Sequence, residues 1–364
     1  MRRRAIILGT ALALLATPTP PASAGSDRVV VAFTGDDLAT HATWVRAHEN
    51  AGGHGYDYRP MFARLRSLVS SADVAICHLE TPLTGPGLGV SDYPRYVVPH
   101  EVAGAIRWAG YDGCSTASNH TLDAGSAGIR TTLGWLDEVG LRHTGSARST
   151  KERWKTTHYR VGDLTVAHLS FTASFNGFVP AHSWEANRID TARIVSDARL
   201  ARRRGADIVV LSLHWGTEHQ HAPSASQFAL AETLARSGAI DLIVGHHAHV
   251  IQPIRRPLGR WVAYGLGNSL SGMTASMFTP SVTDGVVLLA TFERGPHGWH
   301  VRRLRYAPTW VEPGSWIVRL VGPAIDAGHL PSWELAELRR SWGRTVHAID
   351  AARLDVVPYR RATV

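Results

Sequence analysis

Short apolar runs that stop abruptly in a polar cluster recur along the chain. Val29–Asp36 reads VVVAFTGD, Asp73–Glu80 reads DVAICHLE and Tyr111–His120 reads YDGCSTASNH. The pattern returns in Asp207–Gly216 (DIVVLSLHWG), Asp241–His249 (DLIVGHHAH) and Trp261–Asn268 (WVAYGLGN). Runs rich in Val and Ile without strict alternation read as strands buried on both faces. Helical spacing appears between several of them. Gly128–Val139 sets Ile129, Leu133 and Leu136 on one face, and Thr191–Arg204 carries a charged face. Ser224–Ser237 opens on a Ser N-cap and is predicted to turn Phe228, Leu230 and Leu234 inward. Alternating strands and helices predict an α/β fold with a mostly parallel sheet, whose sites gather beyond the carboxyl ends of the strands. The polar clusters all stand at that end.

Other segments predict antiparallel pairing. Thr157–Val161 and Leu164–Ser170 flank Gly162-Asp163, a hairpin signal. Val286–Phe292 and Trp299–Tyr306 flank Gly295-Pro296-His297-Gly298. Leu83–Pro99, rich in Gly and Pro, reads as a long loop able to overhang the site. Beyond Pro308 the pattern weakens to one terminal helix near Trp333–Trp342. The expected organisation is a leader over 1–24, one domain over 25–310 and a C-terminal extension over 311–364.

The leader rests on Arg2-Arg3-Arg4, the apolar run Ala5–Ala16 and the cleavage pattern Ala22-Ser23-Ala24. The run is too short to span a bilayer, which takes about 20 residues, so the expectation is an exported protein with a cleaved signal peptide. The chain of 364 residues is 44% hydrophobic and 19% charged, a globular composition that argues against long disorder. The formal net charge is +8, its positive side almost all Arg, which reads either as codon bias or as loose attraction to anionic envelope polymers or headgroups. No stretch interleaves basic and aromatic residues as a nucleic-acid platform would. The two cysteines, Cys77 and Cys114, either form one disulfide between neighbouring strands or are small buried residues that never meet.

The residue types at the strand ends define the candidate chemistry. Asp36, Glu80, Asn119, His120, His214, His247 and His249 offer carboxylate, amide and imidazole donors without thiolate. That mixture suits Mn, Fe or Zn in a reactive site better than a structural zinc. Two such ions about 3.5–4 Å apart, bridged by a carboxylate such as Glu80, suit phosphoryl transfer. A serine-hydrolase reading fails because Gly267-Asn268-Ser269-Leu270-Ser271 lacks the closing glycine of the nucleophile elbow. Gly85-Pro86-Gly87-Leu88-Gly89 likewise lacks the strand-to-helix context of a dinucleotide fingerprint.

Six ordered motifs make the chain resemble the CapA-type capsule and poly-γ-glutamate synthesis proteins, a branch of the calcineurin-like metallophosphoesterase superfamily. They are Gly35-Asp36, His78-Leu79-Glu80-Thr81-Pro82-Leu83-Thr84, Ala117-Ser118-Asn119-His120-Thr121-Leu122-Asp123, His214-Trp215-Gly216-Thr217-Glu218, Gly245-His246-His247-Ala248-His249-Val250 and Tyr264-Gly265-Leu266-Gly267-Asn268. The resemblance implies a metallophosphatase-like four-layer sandwich, two mixed β-sheets flanked by helices. It implies two divalent metal ions, one on Asp36 and His249, the other on Asn119, His214 and His247, with Glu80 bridging. His120 would act as the general acid or transition-state stabiliser, oriented by Asp123, while Asn268 and Glu218 would shape the pocket.

Three departures from the family pattern stand out. Asp36-Asp37-Leu38 lacks the histidine of the superfamily's Asp-x-His first motif, as CapA-type proteins usually do, and nearby His41 reads either as a substitute or as an exposed loop residue. Glu80 replaces an aspartate, and His78 stands where this branch usually has asparagine, as an extra ligand or a harmless neighbour. Two functions follow from the resemblance. One is an exported metal-dependent phosphoesterase acting on a phosphorylated envelope substrate in surface-polymer synthesis, alongside membrane polymer-synthase components. The other is a non-catalytic assembly factor that binds a polyanion.

Overall fold

Alternation along each strand decides the architecture. In the computed structural model, which describes residues 27–296, 298–350, 354 and 356–359, side chains one residue apart enter different hydrophobic layers. Residues 1–24, read above as a signal peptide, lie outside the described residues. Strands β1 (Arg28–Leu38), β2 (Val74–Leu79), β3 (Gly113–Ser115) and β4 (Arg142–Thr144) lie side by side in parallel. The chain then crosses to a second sheet of β5 (Thr157–Val161), β6 (Leu164–Thr172), β7 (Ile208–His214), β8 (Leu242–His246), β9 (Ile251–Arg255) and β10 (Trp261–Leu266). Its spatial order is β5-β6-β7-β8-β10-β9, with antiparallel edges around a parallel centre. The last strands return to the first sheet: β11 (Asn268–Ser271), β12 (Asp284–Gly295), β13 (Gly298–Val311), β14 (Val318–Leu320) and β15 (Val357–Pro358).

Val29, Val31 and Phe33 of β1 and Val74 and Ile76 of β2 pack against Val166, Ile208, Val210, Leu242 and Val244 of the second sheet. The intervening Ala32, Ala75 and Cys77 face Met61, Phe62, Leu65, Ile106 and Leu133 in outer helices. On the far side Val209, Leu211 and Ile243 meet Ala198, Ala231 and Leu234. The result is four layers, helix–sheet–sheet–helix. Both faces of the central strands are apolar because both are covered, and each buried aliphatic side chain contributes about 1.5–3 kcal/mol. The mostly parallel reading holds only for the strands that carry the polar clusters; the sheets as wholes are mixed.

The predicted helices form, as Gly125–Glu138, Thr191–Arg203 and Ala225–Arg236. Ser224 caps the last of these reciprocally with Gln227. Phe228 was expected inward but is exposed, because the buried stripe runs through Gln227, Ala231, Leu234 and Ala235. Both predicted hairpins are present, and the second is tighter than expected, with β12 and β13 paired up to Gly295 and Gly298. Cys77 and Cys114 are register partners on β2 and β3 and form a disulfide. Beyond residue 310, β14 pairs with β13, and helix Ser332–Ile349 is tied to β12 by Arg344 on Asp284 (2.6 and 2.9 Å). Among the described residues no helix is long and apolar enough to cross a membrane.

Candidate metal centre

The parity that builds the inter-sheet core also fills the site. On β2 the inward positions Val74 and Ile76 are followed by His78, with Glu80 just past the strand end. On β7 the inward series Ile208, Val210 and Ser212 ends in His214, and on β8 Leu242 and Val244 lead to His246. The layer between the sheets therefore changes from aliphatic to imidazole at the carboxyl ends. Asp36 reaches the same place through an irregularity in β1, where its backbone N–H donates to the Gly267 carbonyl at 3.0 Å. A Cβ on Gly35 would stand 2.1 Å from that carbonyl oxygen, so only glycine allows this approach.

The side chains converge around Glu80. His214 Nε2 and His249 Nε2 each lie 3.7 Å from Glu80 Oε1. His214 Nε2 is also 2.8 Å from Asn119 Oδ1. Asp36 contacts His246 Nδ1 through Oδ1 at 2.8 Å, accepts the His247 backbone N–H on Oδ2 at 2.8 Å and lies 3.5 Å from His249 Nδ1. Donor atoms of Glu80, His214 and His247 lie within 4.8 Å of one another, as do those of Asp36, Glu80 and His249 and those of Asp36, His78 and His246. His247 and His249 both adopt left-handed backbone conformations (φ 88° and 53°). Such strain costs about 1–3 kcal/mol per residue and characteristically collects at functional sites. His249 Nδ1 meets Asn268 Oδ1 at 3.0 Å, and Asn268 is itself anchored on the Val282 carbonyl, which leaves Nε2 turned to Glu80.

Electrostatics favours a cation here. Burial, reinforced by the neighbouring Asp36 charge, pushes the Glu80 carboxyl well above the usual range. Burial acts on Asp36 the same way, but the hydrogen bond and charge of His246 outweigh it and hold Asp36 well below its ordinary value. Burial, with repulsion from neighbouring imidazoles, drives His78 and His214 well below the usual histidine value and His247 down to about 4. Both Glu80 carboxylate oxygens and His247 Nδ1 are buried without a hydrogen-bond partner. Orphaned acceptors beside neutral imidazoles are what a divalent cation satisfies, so the residues fit the implied metal.

Beside this cluster His120 Nδ1 meets Asp123 Oδ2 at 2.7 Å, and the same oxygen accepts the Tyr96 backbone N–H at 2.7 Å. The Tyr96 ring stands edge-on to His120 at 4.8 Å, so the loop after Leu83 does overhang the site. Arg95 of that loop donates to the Asp123 carbonyl at 2.9 Å.

The structure thus brings together Asp36, Glu80, Asn119, His120, Asp123, His214, His247 and His249. His41 is exposed at the start of helix His41–Asn50, with its ring against Trp44, and takes no part in these contacts. Glu218 is exposed at the rim and acts on Glu80 and His247 through its charge. Sequence reading left His246 without a role and His78 undecided. Their parity with Leu242 and Val244, and with Val74 and Ile76, was the signal that both point between the sheets. Asp37 was also passed over; it is fully enclosed, and burial raises its carboxyl to about 8.

A buried carboxylate–imidazole cluster at the carboxyl ends of two facing sheets defines an α/β protein with a candidate metal centre. The chain belongs to the family described as bacterial capsule synthesis protein PGA_cap, whose model matches residues 30–273. It is 31% identical over 173 residues to the capsule biosynthesis protein CapA of Bacillus anthracis, a match covering 46% of this chain and 42% of that protein. Against the PGA biosynthesis protein CapA of Bacillus subtilis the identity is 35% over 156 residues (42% and 41% coverage). Against a probable polyglutamine synthesis accessory protein of Mycobacterium tuberculosis it is 28% over 213 residues (55% and 56%). The matches thus span about half the length of these curated relatives.

Among solved structures, a calcineurin-like phosphoesterase, YfkN of Bacillus subtilis, aligns at 14% identity and TM-score 0.44, covering 88% of this chain and 98% of that one. A 5′-nucleotidase precursor from Thermus thermophilus aligns at 12% and 0.48, covering 88% and 59%. Alignments this loose assign no chemistry, and the architecture rests on the topology described above.

Proposed function

We propose that this protein is an exported, metal-dependent phosphoesterase that acts on a phosphorylated envelope component during capsule or poly-γ-glutamate synthesis. Membership of the capsule-synthesis family supports a context of surface-polymer synthesis, and the 1–24 stretch supports export. The observation that carries the reading is Glu80, enclosed with both oxygens unpartnered between Asp36, His214 and His249. Asp36, Glu80 and His249 would hold one divalent ion, and Glu80, Asn119, His214 and His247 a second. Ions there would polarise phosphoryl oxygens and make water a better nucleophile.

The chain's own groups supply the rest. Asp123 holds the Nδ1 side of His120, which leaves Nε2 to exchange a proton with a ligand. As water adds to phosphorus and the bond to the leaving oxygen breaks, that oxygen takes the proton from His120 Nε2, and the proton shed by the attacking water restores the imidazole, so that ester and water give alcohol and phosphate. Tyr96 packs edge-on to the imidazole and limits its movement.

The test pairs elemental analysis of the mature protein, loaded with Mn²⁺ or Zn²⁺ and desalted, with hydrolysis of a panel of phosphomono- and phosphodiesters. Two ions per chain, lost in His247→Ala, together with turnover that His120→Ala abolishes, is the expected result. Metal retained without turnover on any phosphoester would favour the non-catalytic polyanion-binding factor. No retained metal would overturn the two-ion reading.

A further inference from the structure

His78 is fully enclosed and both its ring nitrogens are engaged: Nδ1 lies 2.8 Å from Ser115 Oγ and Nε2 lies 2.9 Å from His214 Nδ1. The row continues at both ends. His214 Nε2 meets Asn119 Oδ1 at 2.8 Å, and Ser115 Oγ lies 3.3 Å from the Cys77 carbonyl. The contacts cross from β2 and β3 in one sheet to β7 in the other. The His78 ring is also stacked on His246 at 4.1 Å, and His246 in turn holds Asp36.

A neutral imidazole has one N–H and one lone pair, so the row admits two proton arrangements. In the first, Ser115 donates to His78 Nδ1, His78 Nε2–H donates to His214 Nδ1, and His214 Nε2–H donates to Asn119 Oδ1. In the second the two bonds of His78 are reversed and the one to Asn119 Oδ1 is given up. His214 Nδ1–H donates to His78 Nε2, His78 Nδ1–H donates to Ser115 Oγ, and the Ser115 hydroxyl turns to the Cys77 carbonyl. The first arrangement pairs Asn119 and blocks His214 Nε2 with a proton. The second bares the Nε2 lone pair toward Asn119 Oδ1 and Glu80, an acceptor-rich position that a cation would satisfy.

We propose that His78 is a positioning residue: a tautomer relay that moves the proton off His214 Nε2 when a cation arrives, without the row itself gaining or losing a proton. Each group keeps the number of protons it began with, and only the positions change. A ligand role for His78 would require breaking one of its two hydrogen bonds, whereas the relay uses both. Histidines that bind metal through one nitrogen are commonly fixed through the other, and loss of such a partner typically weakens metal binding about 10–100-fold. The inference rests on the metal reading above and adds to it how the second half-site is prepared.

The test is long-range ¹H–¹⁵N NMR of histidine-labelled protein at pH 7, titrated with Zn²⁺, which is diamagnetic. Metal-free protein should show His78 and His214 as Nε2–H tautomers. Zinc should convert both to Nδ1–H, with the coordination shift confined to His214 Nε2. His78→Phe should weaken zinc binding about 10–100-fold, measured by competition with a chelator, and His78→Gln should recover part of it because an amide can serve in either direction. Zinc bound with no tautomer change at His78, or a coordination shift on His78 itself, would overturn the relay alone. Failure of the wild-type protein to bind zinc would overturn the metal reading as well. The wild-type titration decides the matter even if a variant does not fold.

Discussion

His120 and Asp123 face each other across one turn of loop, with Nδ1 and Oδ2 2.7 Å apart, and the same carboxylate oxygen is fixed by the Tyr96 backbone N–H. Asp123 therefore orients the imidazole from a position that is itself held. Replacing His120 with Ala should lower phosphoester turnover about 10²–10⁴-fold, the range for a general acid. Asp123→Asn keeps the shape but weakens the hold on Nδ1, so it should lower kcat while leaving metal content unchanged. Steady-state kinetics beside elemental analysis checks both, and metal loss in either variant would count against this division of roles.

Glu80 predicts how the metal-free protein responds to alkali. Its folded pKa stands well above the unfolded value because of burial, so its contribution is complete below the unfolded pKa and is lost as pH rises through the folded one. Between pH 7 and 9 unfolded histidines are already neutral and do not obscure the trend. Urea unfolding of metal-free protein should show stability falling over that window, by up to about 1.4 kcal/mol per pH unit. Glu80→Gln should lessen the fall without removing it, because Asp37, raised to about 8, contributes over the same window, and Mn²⁺ or Zn²⁺ should reverse the Glu80 share in the wild type only.

His168 predicts the opposite limb. It is fully enclosed between the sheets with Nε2 2.9 Å from Ser212 Oγ, and burial lowers its pKa to about 3. A histidine depressed in the folded state contributes stability above its unfolded pKa near 6.5 and loses it as pH falls toward the folded value. In urea titrations of metal-free protein from pH 7 to 4.5, His168→Gln should reduce the acid-side slope by about 1.4 kcal/mol per pH unit. An unchanged slope would mean that the folded protein takes up this proton as readily as the unfolded chain does.

The Cys77–Cys114 disulfide closes a separation of 37 residues and joins β2 to β3. Its removal by a double Cys→Ala change should cost about 2–4 kcal/mol in urea unfolding. Because β2 carries His78 and leads to Glu80 while β3 carries Ser115, the variant should also bind zinc more weakly. A stability loss with unaltered zinc affinity would show that the metal centre is held without the covalent link.

Much of this was legible from the chain because the site is built at strand ends. An apolar run that halts at Asp36, Glu80, His214 or His249 declares both a buried strand and the point where its carboxyl end meets solvent-facing chemistry. Two things were not legible. Phe228 lies one residue from the true stripe, and sequence spacing alone cannot distinguish the edge of a helix's apolar face from its centre. His78 and His246 were harder still, since their role depends on His214 and Asp36, which come from distant parts of the chain. The missing first-motif histidine invited a search nearby at His41, whereas the contact to Asp36 comes from the end of β8.

On β2 a thiol and an imidazole occupy adjacent positions and face opposite ways, Cys77 toward the helices and His78 toward the other sheet. A deletion of one residue upstream within that strand would exchange them. It would turn sulfur into the layer between the sheets, strand a histidine in an oily layer and leave Cys114 without its partner. Slippage of this single strand would thus disarrange the candidate metal centre and break the link to β3 in one step, which leaves β2 little tolerance for length variation.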